Sequence, residues 1–476
     1  MHFSFLQLLI DLKIKKLYNA FMSLQPKMTV VKKIDRGSLP MLALTVPIFF
    51  ESLFRMLVSS VDTVMLSSYS QEAVAAVGMT AQFIFFIQIL FNVICIGVTI
   101  VLAQYIGANR ESELKQVAQA STVMIVIFSV VMTLVVIFGA EPLLNTYTLD
   151  DSVRKHAHEY LVILGGFGAV FFAFNLLQSS ILKAYGYTKD AMFISITANI
   201  VNVIGNAAAL YGPFGLPVLG VPGVAASSVF SQFIACILFA YKIQKKPDVY
   251  FSLKGIAQVP AKIYKTILAI GIPTAGESLS YNVAQIVIMA MITTLGTAAM
   301  TSQVYTQTIV RFVFVTAMAI GNAVQIKTGY FVGAKQPDKA YRALYKYQII
   351  GTAITMLLII IVNLVKAPLI SLFTKDAAIF SLVSSLLIFS AYIEFGRSIN
   401  LITIGALKGA GDVKFPVLYG IFSMWFFMVL GSYLLGITAG LGMIGIWLSI
   451  GTDETMRGIV MLFRWKTKRW KTKALA

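Results

Sequence analysis

The sequence predicts an all-α membrane protein with 12 transmembrane helices in two six-helix lobes. Three observations predict this class: an apolar composition, twelve long apolar runs and an internal repeat. Of the 476 residues, 58% are hydrophobic and only 12% are charged, about half the charged share of a typical soluble domain. A soluble enzyme of this length would need far more polar surface, so the composition argues against one.

The apolar runs are long enough to cross a bilayer, which takes about 20 mostly apolar residues. Turn-forming sequences separate them, for example at 107–110, 211–215 and 409–412. Several runs exceed 25 residues, which indicates tilted or bent helices. The predicted spans are about 40–66, 76–104, 118–139, 157–181, 190–211, 221–241, 264–294, 300–328, 347–371, 377–405, 414–436 and 440–463.

The positive charges predict the orientation. The net charge is +18, and a basic balance can indicate a nucleic-acid partner. Here the odd-numbered loops carry only four of the 38 Lys and Arg residues, whereas the two ends and the even-numbered loops carry most of the others. This asymmetry is typical of the positive-inside rule, so we expect both termini in the cytoplasm and no nucleic-acid partner. The four exceptions are Arg154, Lys155, Lys366 and Lys375.

The N-terminal segment 1–38 mixes apolar patches with basic residues, and it lacks the pattern of a signal peptide. We interpret it as a cytoplasmic or interfacial amphipathic segment. The alternative is an upstream extension of a reading frame that starts at Met22 or Met28. At the other end, residues 465–476 form a basic tail that we expect in the cytoplasm.

The second half of the chain repeats the first. Pro47 and Glu51 recur as Pro273 and Glu277, 226 residues later, and Gly107-Ala108 recurs as Gly333-Ala334. Two further pairs keep almost the same offset: Leu182-Lys183 with Leu407-Lys408, and Leu219-Gly220 with Leu441-Gly442.

The repeat predicts the symmetry of the two lobes. Since the offset covers six helices, both halves share one orientation, and a pseudo-twofold axis along the membrane normal should relate them. We expect lobes at 39–241 and 264–464, joined by a basic cytoplasmic loop at 242–263. Parallel repeats of this kind are typical of transporters.

Three charged residues share one face of span 1. Glu51, Arg55 and Asp62 fall within a narrow angle at helical periodicity, and an intramembrane charge is expensive enough to suggest a function. The i, i+4 spacing favours an ion pair between Glu51 and Arg55, which we interpret as structural. Asp62 is left without a local partner, so it could load and release a proton or bind a small cation.

Amide side chains extend the polar inventory of the first lobe. Asn199, Asn202 and Asn206 form one stripe on span 5. Their oxygens could coordinate a cation, or they could form hydrogen bonds between helices. The other intramembrane polar residues are Asn92, Asn175 and Gln178.

The second lobe carries a balanced set of charges. We expect either a neutral ion-pair network or a second ion site there, with Glu394 and Arg397 in contact at i, i+3 spacing. The candidate residues are Glu277, Gln285, Gln307, Arg311, Glu394 and Arg397. The charged group of span 12 is interpreted as structural and consists of Asp453, Glu454 and Arg457.

Several kinds of chemistry leave no motif in this sequence. There is no P-loop, dinucleotide fingerprint, catalytic constellation or metal-ligand cluster, so we predict neither an enzyme nor a cofactor. Energy for uphill movement would come from an ion gradient. Cys95 and Cys236 lie in apolar runs and are interpreted as packing residues.

The ordered motifs resemble those of the multidrug and toxic compound extrusion (MATE) family of bacterial secondary transporters. The similarity covers about 37–465. It depends on Pro47, Val61-Asp62-Thr63-Val64-Met65, Gly107-Ala108-Asn109-Arg110, Asn199-x-x-Asn202, Gly220-x-x-Gly223, Ala406-Leu407-Lys408-Gly409-Ala410-Gly411-Asp412, Gly442-x-x-Gly445, Asp453 and Arg457.

The resemblance implies two lobes arranged in a V and export of organic cations in exchange for Na⁺ or H⁺. Asp62 matches the family's span-1 aspartate, and Asn202 and Asn206 resemble its span-5 asparagines. Glu277 lies about one turn from the expected position of the span-7 acid.

We therefore predict a cation-coupled exporter of lipophilic organic cations, such as drugs or toxic compounds. It would be a monomer surrounded by lipid in a bacterial plasma membrane. One alternative is a flippase or exporter of a lipid-linked or other anionic precursor, because arginines lie within the spans. A more remote alternative is a membrane-embedded enzyme or receptor without transport.

Overall fold

The computed structural model describes residues 36–215, 217–251 and 258–475. Within these ranges the chain is helical and contains no β-strand. Most of the predicted N-terminal segment 1–38 lies outside the described residues, and so do residues 252–257 of the predicted loop 242–263 and the final residue of the tail.

Six long helices, numbered α1 to α6, form the first lobe. Helix α4 contains a π-helical stretch at Leu161–Phe167. Their bounds are Met41–Tyr69 (α1), Gln71–Gly107 (α2), Glu111–Leu144 (α3), Asp151–Ala184 (α4), Thr188–Tyr211 (α5) and Gly220–Gln244 (α6).

Six more, α7 to α12, form the second lobe. A short helix, Lys366–Ser371, separates α9 from α10. The bounds are Ala261–Thr294 (α7), Thr297–Gly333 (α8), Pro337–Leu364 (α9), Ala377–Gly409 (α10), Lys414–Thr438 (α11) and Gly442–Lys466 (α12).

Ten of these helices are long and apolar enough to cross a membrane. The other two, α7 and α12, each contain charged residues. Both pack inside the bundle, α7 against α2 and α11, and α12 against α10 and α11. Neighbouring helices thus surround Glu277 of α7 and Asp453, Glu454 and Arg457 of α12, charges that lipid would not accommodate.

Local sequence explains the shortest connections. Ser70 alone joins α1 to α2, and its hydroxyl accepts hydrogen bonds from the first backbone N–H groups of α2. The turns after α2 and α8 both contain a residue in the left-handed region, Asn109 with φ 55° and Lys335 with φ 56°. The repeat seen in the sequence therefore extends to the backbone of these two turns.

The two lobes meet at one end of the bundle, which we call the basic face. It carries the turns 107–110 and 333–336, and α2 contacts α7 and α8 there. Gly107 lies so close to α8 that a Cβ atom would overlap the Tyr330 carbonyl oxygen, and one on Gly333 would overlap the Gln104 carbonyl oxygen. Only glycine permits such close helix contact.

Hydrogen bonds reinforce this contact between lobes. Lys327 of α8 donates to the carbonyl oxygen of Gly37 at 2.5 Å, and the Tyr330 hydroxyl donates to that of Ala184 at 2.5 Å. Gln104 of α2 donates to the carbonyl oxygen of Gly409 at 2.8 Å. The bundle is therefore closed at the basic face.

Candidate functional site

A cavity of about 290 Å³ lies within the first lobe, between α1, α2, α4, α5 and α6. We call it the first-lobe cavity. Asp62 is the sole carboxylate in its lining within the described part of the chain. The other polar lining residues include Arg55, Gln88, Asn175, Ser179, Ser195, Asn199, Asn202, Ser228, Ser231 and Gln232.

Asp62 is linked to α5 by a hydrogen bond. The Asn206 Nδ2 atom donates to Asp62 Oδ1 at 2.9 Å and lies 3.4 Å from Asn202 Oδ1. Asn202 in turn donates to the Ser228 hydroxyl at 2.9 Å. Asn202 and Asn206 therefore belong to this chain of hydrogen bonds. Asn199 and Asn202 line the cavity wall.

The Asp62 carboxylate is linked to amide side chains that also carry oxygen atoms. Asn206 is buried, and its Oδ1 atom has no hydrogen bond within the described residues. Carboxylate and amide oxygens are suitable ligands for a hard cation, and a carboxylate can also carry a proton. The chemistry of Asp62 and Asn206 therefore suits either a hard cation or a proton.

Glu51 has two cationic partners rather than one. Its Oε1 atom lies 3.1 Å from Arg55 and 2.8 Å from the Lys183 ammonium group. Glu51 is 2% exposed, whereas Arg55 is 58% exposed and faces the first-lobe cavity. The sequence indicated the pair with Arg55, but Lys183 on α4 was not expected as a partner.

The remaining polar residues of the first lobe have separate contacts. Asn175 donates to the Gln232 backbone oxygen at 2.8 Å, joining α4 to α6. Asn92 donates to the Gln88 carbonyl oxygen within α2 at 3.0 Å. Gln178 is buried on α4 and does not line the first-lobe cavity.

A second cavity, of about 210 Å³, lies in the second lobe. We call it the second-lobe cavity. It gathers most of the charged and amide residues predicted there, but not Glu277. Its polar and aromatic lining consists of Tyr281, Gln285, Gln303, Gln307, Arg311, Phe314, Ser390, Glu394, Arg397 and Trp447.

Beside this cavity, α10 and α12 share a buried charge network. Arg397 pairs with Glu394 and also with Glu454, the latter at 3.1 Å. Arg457 pairs with Asp453 at 2.5 Å and lies 3.7 Å from Glu454. Glu454 thus bridges the two arginines, and three acids face two arginines.

The membership of this network differs from the sequence hypothesis. Arg311 is exposed on the cavity wall and has no ion pair within residues 36–215, 217–251 and 258–475. Glu277 instead pairs with Lys408 at 2.7 Å. The members that the hypothesis lacked, Asp453, Glu454 and Arg457, lie midway along α12. The sequence already contained a signal for them, because these charged residues interrupt the apolar sequence of span 12.

The repeat explains the contact of Glu277. Glu51 with Lys183 and Glu277 with Lys408 occupy equivalent positions in the two halves. Each pair joins two helices of one lobe, α1 with α4 and α7 with α10. These four positions were anchors of the repeat, so the symmetry of the sequence corresponds to a symmetric ion pair.

A two-lobed helical bundle built from parallel repeats, with a polar cavity in each lobe, is an architecture typical of membrane transporters. The MatE family model matches residues 47–208 and 273–434, which differ by the 226-residue offset of the repeat. The chain belongs to the MATE family of multidrug efflux transporters. It is therefore a multi-pass membrane transporter rather than an enzyme, as the sequence predicted.

Similar proteins support this assignment over nearly the whole chain. The "Uncharacterized transporter YisQ" of Bacillus subtilis is 38% identical, with 94% of this chain and 99% of that protein covered. The "Probable multidrug resistance protein NorM" of Thermotoga maritima is 24% identical, with 96% and 97% covered.

Solved structures confirm the fold. One described as the "Outward-facing conformation of a multidrug resistance MATE family transporter of the MOP superfamily" superposes with a TM-score of 0.81 at 21% identity, covering 90% of this chain and 95% of that one. Another, "Crystal structure of MATE in the bent conformation", gives 0.83 at 21% identity, covering 90% and 94%. The predicted arrangement of 12 helices in two lobes is confirmed.

Proposed function

We propose that this transporter is an antiporter that exports lipophilic organic cations in exchange for Na⁺ or H⁺. The observation that supports it most directly is Asp62, which lines the first-lobe cavity and has Asn206 as its hydrogen-bond partner. A carboxylate in this position can attract a drug cation and can also hold a coupling ion.

Exchange follows from competition for one charge. If a drug cation and a coupling ion both need the Asp62 carboxylate, binding of one favours release of the other. A ligand shifts a two-state transporter only as far as its affinities for the two states differ. A conformation that is closed at the basic face and open at the other end would be one of these two states.

The proposed coupling ion is either Na⁺ or H⁺. Asn206 Oδ1 and Asp62 offer oxygen atoms for Na⁺, whereas protonation of Asp62 alone would serve an H⁺-coupled cycle. The proposal includes no further cofactor. It places a monomer in the lipid of a bacterial plasma membrane.

Two arginines favour a second candidate function. Arg55 faces the first-lobe cavity and Arg311 faces the second-lobe cavity, and guanidinium groups are suited to phosphate and carboxylate. The alternative is therefore export of a lipid-linked or other anionic precursor. In that case Arg55→Gln and Arg311→Gln should abolish transport of the anion, whereas Asp62→Asn should not.

We expect efflux of a cationic dye from everted vesicles to depend on an imposed ion gradient. A Na⁺ gradient and a pH gradient are applied separately, because each isolates one coupling ion. Vesicles without the protein provide the background. Gradient-driven efflux of the cation under one condition supports the proposal, and an absence of efflux under both would contradict it.

The proposed orientation predicts which loops are accessible from outside the cell. Pro247 follows α6 and Thr148 follows α3, and both are exposed. A Cys at position 247 should resist an impermeant maleimide in intact cells, whereas a Cys at position 148 should react. The parent chain, with Cys95 and Cys236, is the blank. Labelling of position 247 but not 148 would reverse the proposed orientation.

A further inference from the structure

A third cavity lies on the basic face, at the junction of the two lobes, and the transport site does not include it. Its volume is about 580 Å³. We call it the junction cavity. It is lined by Arg36, Gly37, residues 106–110 of the first lobe, and Tyr330, Phe331 and residues 333–336 of the second.

The charged residues of its lining are all cationic. Arg36, Arg110 and Lys335 line the junction cavity, and no carboxylate does so within the described ranges. The amide side chains of Asn109 and Gln336 add hydrogen-bond donors. A cavity with this chemistry selects anions, and the fork of an arginine matches the oxygens of a phosphate group.

The cations differ in how firmly they are held. Arg36 is buried, paired with Asp248, and lies over the rings of Tyr185 and Tyr187. Arg110 is 44% exposed, and its ion pair with Glu113 is long, at 3.9 Å. Lys335 is exposed and has no ion pair among the residues that the structure covers. The last two are therefore available to a ligand.

The repeat places these two groups in equivalent turns. Arg110 follows Asn109, and Lys335 is the left-handed residue of the matching turn after α8. One turn belongs to the first lobe and the other to the second. An anion held between them would contact both lobes where Gly107 and Gly333 let the helices meet.

We propose that the junction cavity is a binding site for a phosphate-bearing anion that holds the lobes together at the basic face. Because its lining comes from both lobes, the anion binds most tightly when this face is closed. By linkage, bound anion opposes opening of the same face. The ligand is either the headgroup of an anionic lipid or a soluble phosphate compound.

The test uses two probes on the purified full chain. Inorganic pyrophosphate is titrated in neutral detergent at fixed ionic strength, with the thermal unfolding midpoint as the readout. Retained phosphatidylglycerol is measured by native mass spectrometry, with phosphatidylcholine as the neutral comparison. Binding of pyrophosphate identifies a soluble ligand, and selective retention of phosphatidylglycerol identifies a lipid.

The variant Arg110→Gln with Lys335→Gln should weaken binding of the active probe by about tenfold or more, since each lost group made a charged hydrogen bond. The matched control is Lys115→Gln with Lys339→Gln. It removes two exposed charges from the starts of the same helices, α3 and α9, outside the cavity lining, and should change affinity by less than about twofold, because exposed charges are screened.

Two results would overturn the proposal. One is an equal loss of affinity in both double variants, which would indicate general attraction to a basic surface. The other is an absence of pyrophosphate binding combined with equal retention of the two lipids. The unfolding midpoints without ligand show that each variant is folded, since all four replaced side chains are exposed.

Discussion

Asp62→Asn is expected to lower coupled efflux strongly while the protein still folds and inserts. The substitution keeps the size of the side chain and an oxygen that can accept the hydrogen bond from Asn206. It removes the sole carboxylate of the first-lobe cavity within the described residues. Loss of a charged contact to the cation should lower efflux by about 10- to 100-fold, measured with a cationic dye in everted vesicles.

Asp190→Asn is the matched control. Asp190 pairs with Lys242 and Lys246 at the basic face, at 3.0 and 2.9 Å, outside both lobe cavities. Partly exposed pairs contribute about 0–1 kcal/mol, so this variant should transport at nearly the parent rate. Parent-level efflux in Asp62→Asn at normal expression would remove Asp62 from the mechanism.

Local periodicity predicted the contacts that lie within one helix. Glu51 with Arg55 and Glu394 with Arg397 are spaced by four and three residues, and both pairs form. Helical geometry alone fixes such contacts. The sequence therefore identified these two pairs correctly.

Contacts between helices needed information that periodicity does not contain. Arg397 reaches Glu454 on α12, and Glu277 reaches Lys408 on α10, which requires knowledge of which helices are neighbours. The repeat supplied part of this knowledge, because Glu51 and Lys183 of the first half recur as Glu277 and Lys408 in the second. Taking those anchors as spatial partners would have placed Glu277 correctly.

The junction cavity could not be inferred from the spans at all. The sequence showed Gly107-Ala108 and Gly333-Ala334 as repeated loop openings. Only the fold shows that these turns approach each other. Their meeting depends on close contact of α2 with α8, a tertiary arrangement that neither turn encodes alone.

Arg397→Gln is expected to be among the most destabilising single substitutions in the second lobe. Arg397 is paired with Glu394, which is 1% exposed, and with Glu454. Removing one partner of a buried pair leaves an uncompensated charge and costs about 3–5 kcal/mol. The thermal unfolding midpoint in detergent should fall accordingly.

Arg311→Gln provides the control for charge loss in the same cavity. Arg311 also lines the second-lobe cavity, but it is exposed and carries no ion pair in the described part of the chain. Its replacement leaves no buried acid without a partner. We expect a change within about 0.5 kcal/mol, as for surface substitutions away from such features.

The double substitution Glu394→Gln with Arg397→Gln distinguishes a structural network from an ion site. If the network is structural, the double variant should be more stable than Arg397→Gln, because it also removes the charge of Glu394, the buried acid that loses its partner. Glu454 retains Arg457 and a 2.8 Å hydrogen bond from Asn400 in both variants. Residues in one such network show coupling energies of about 0.5–3 kcal/mol. If Glu394 instead binds the coupling ion, Glu394→Gln alone should stop efflux at normal stability, and the second substitution should restore nothing. A coupling energy near zero, measured together with that loss of efflux, would reject the structural network.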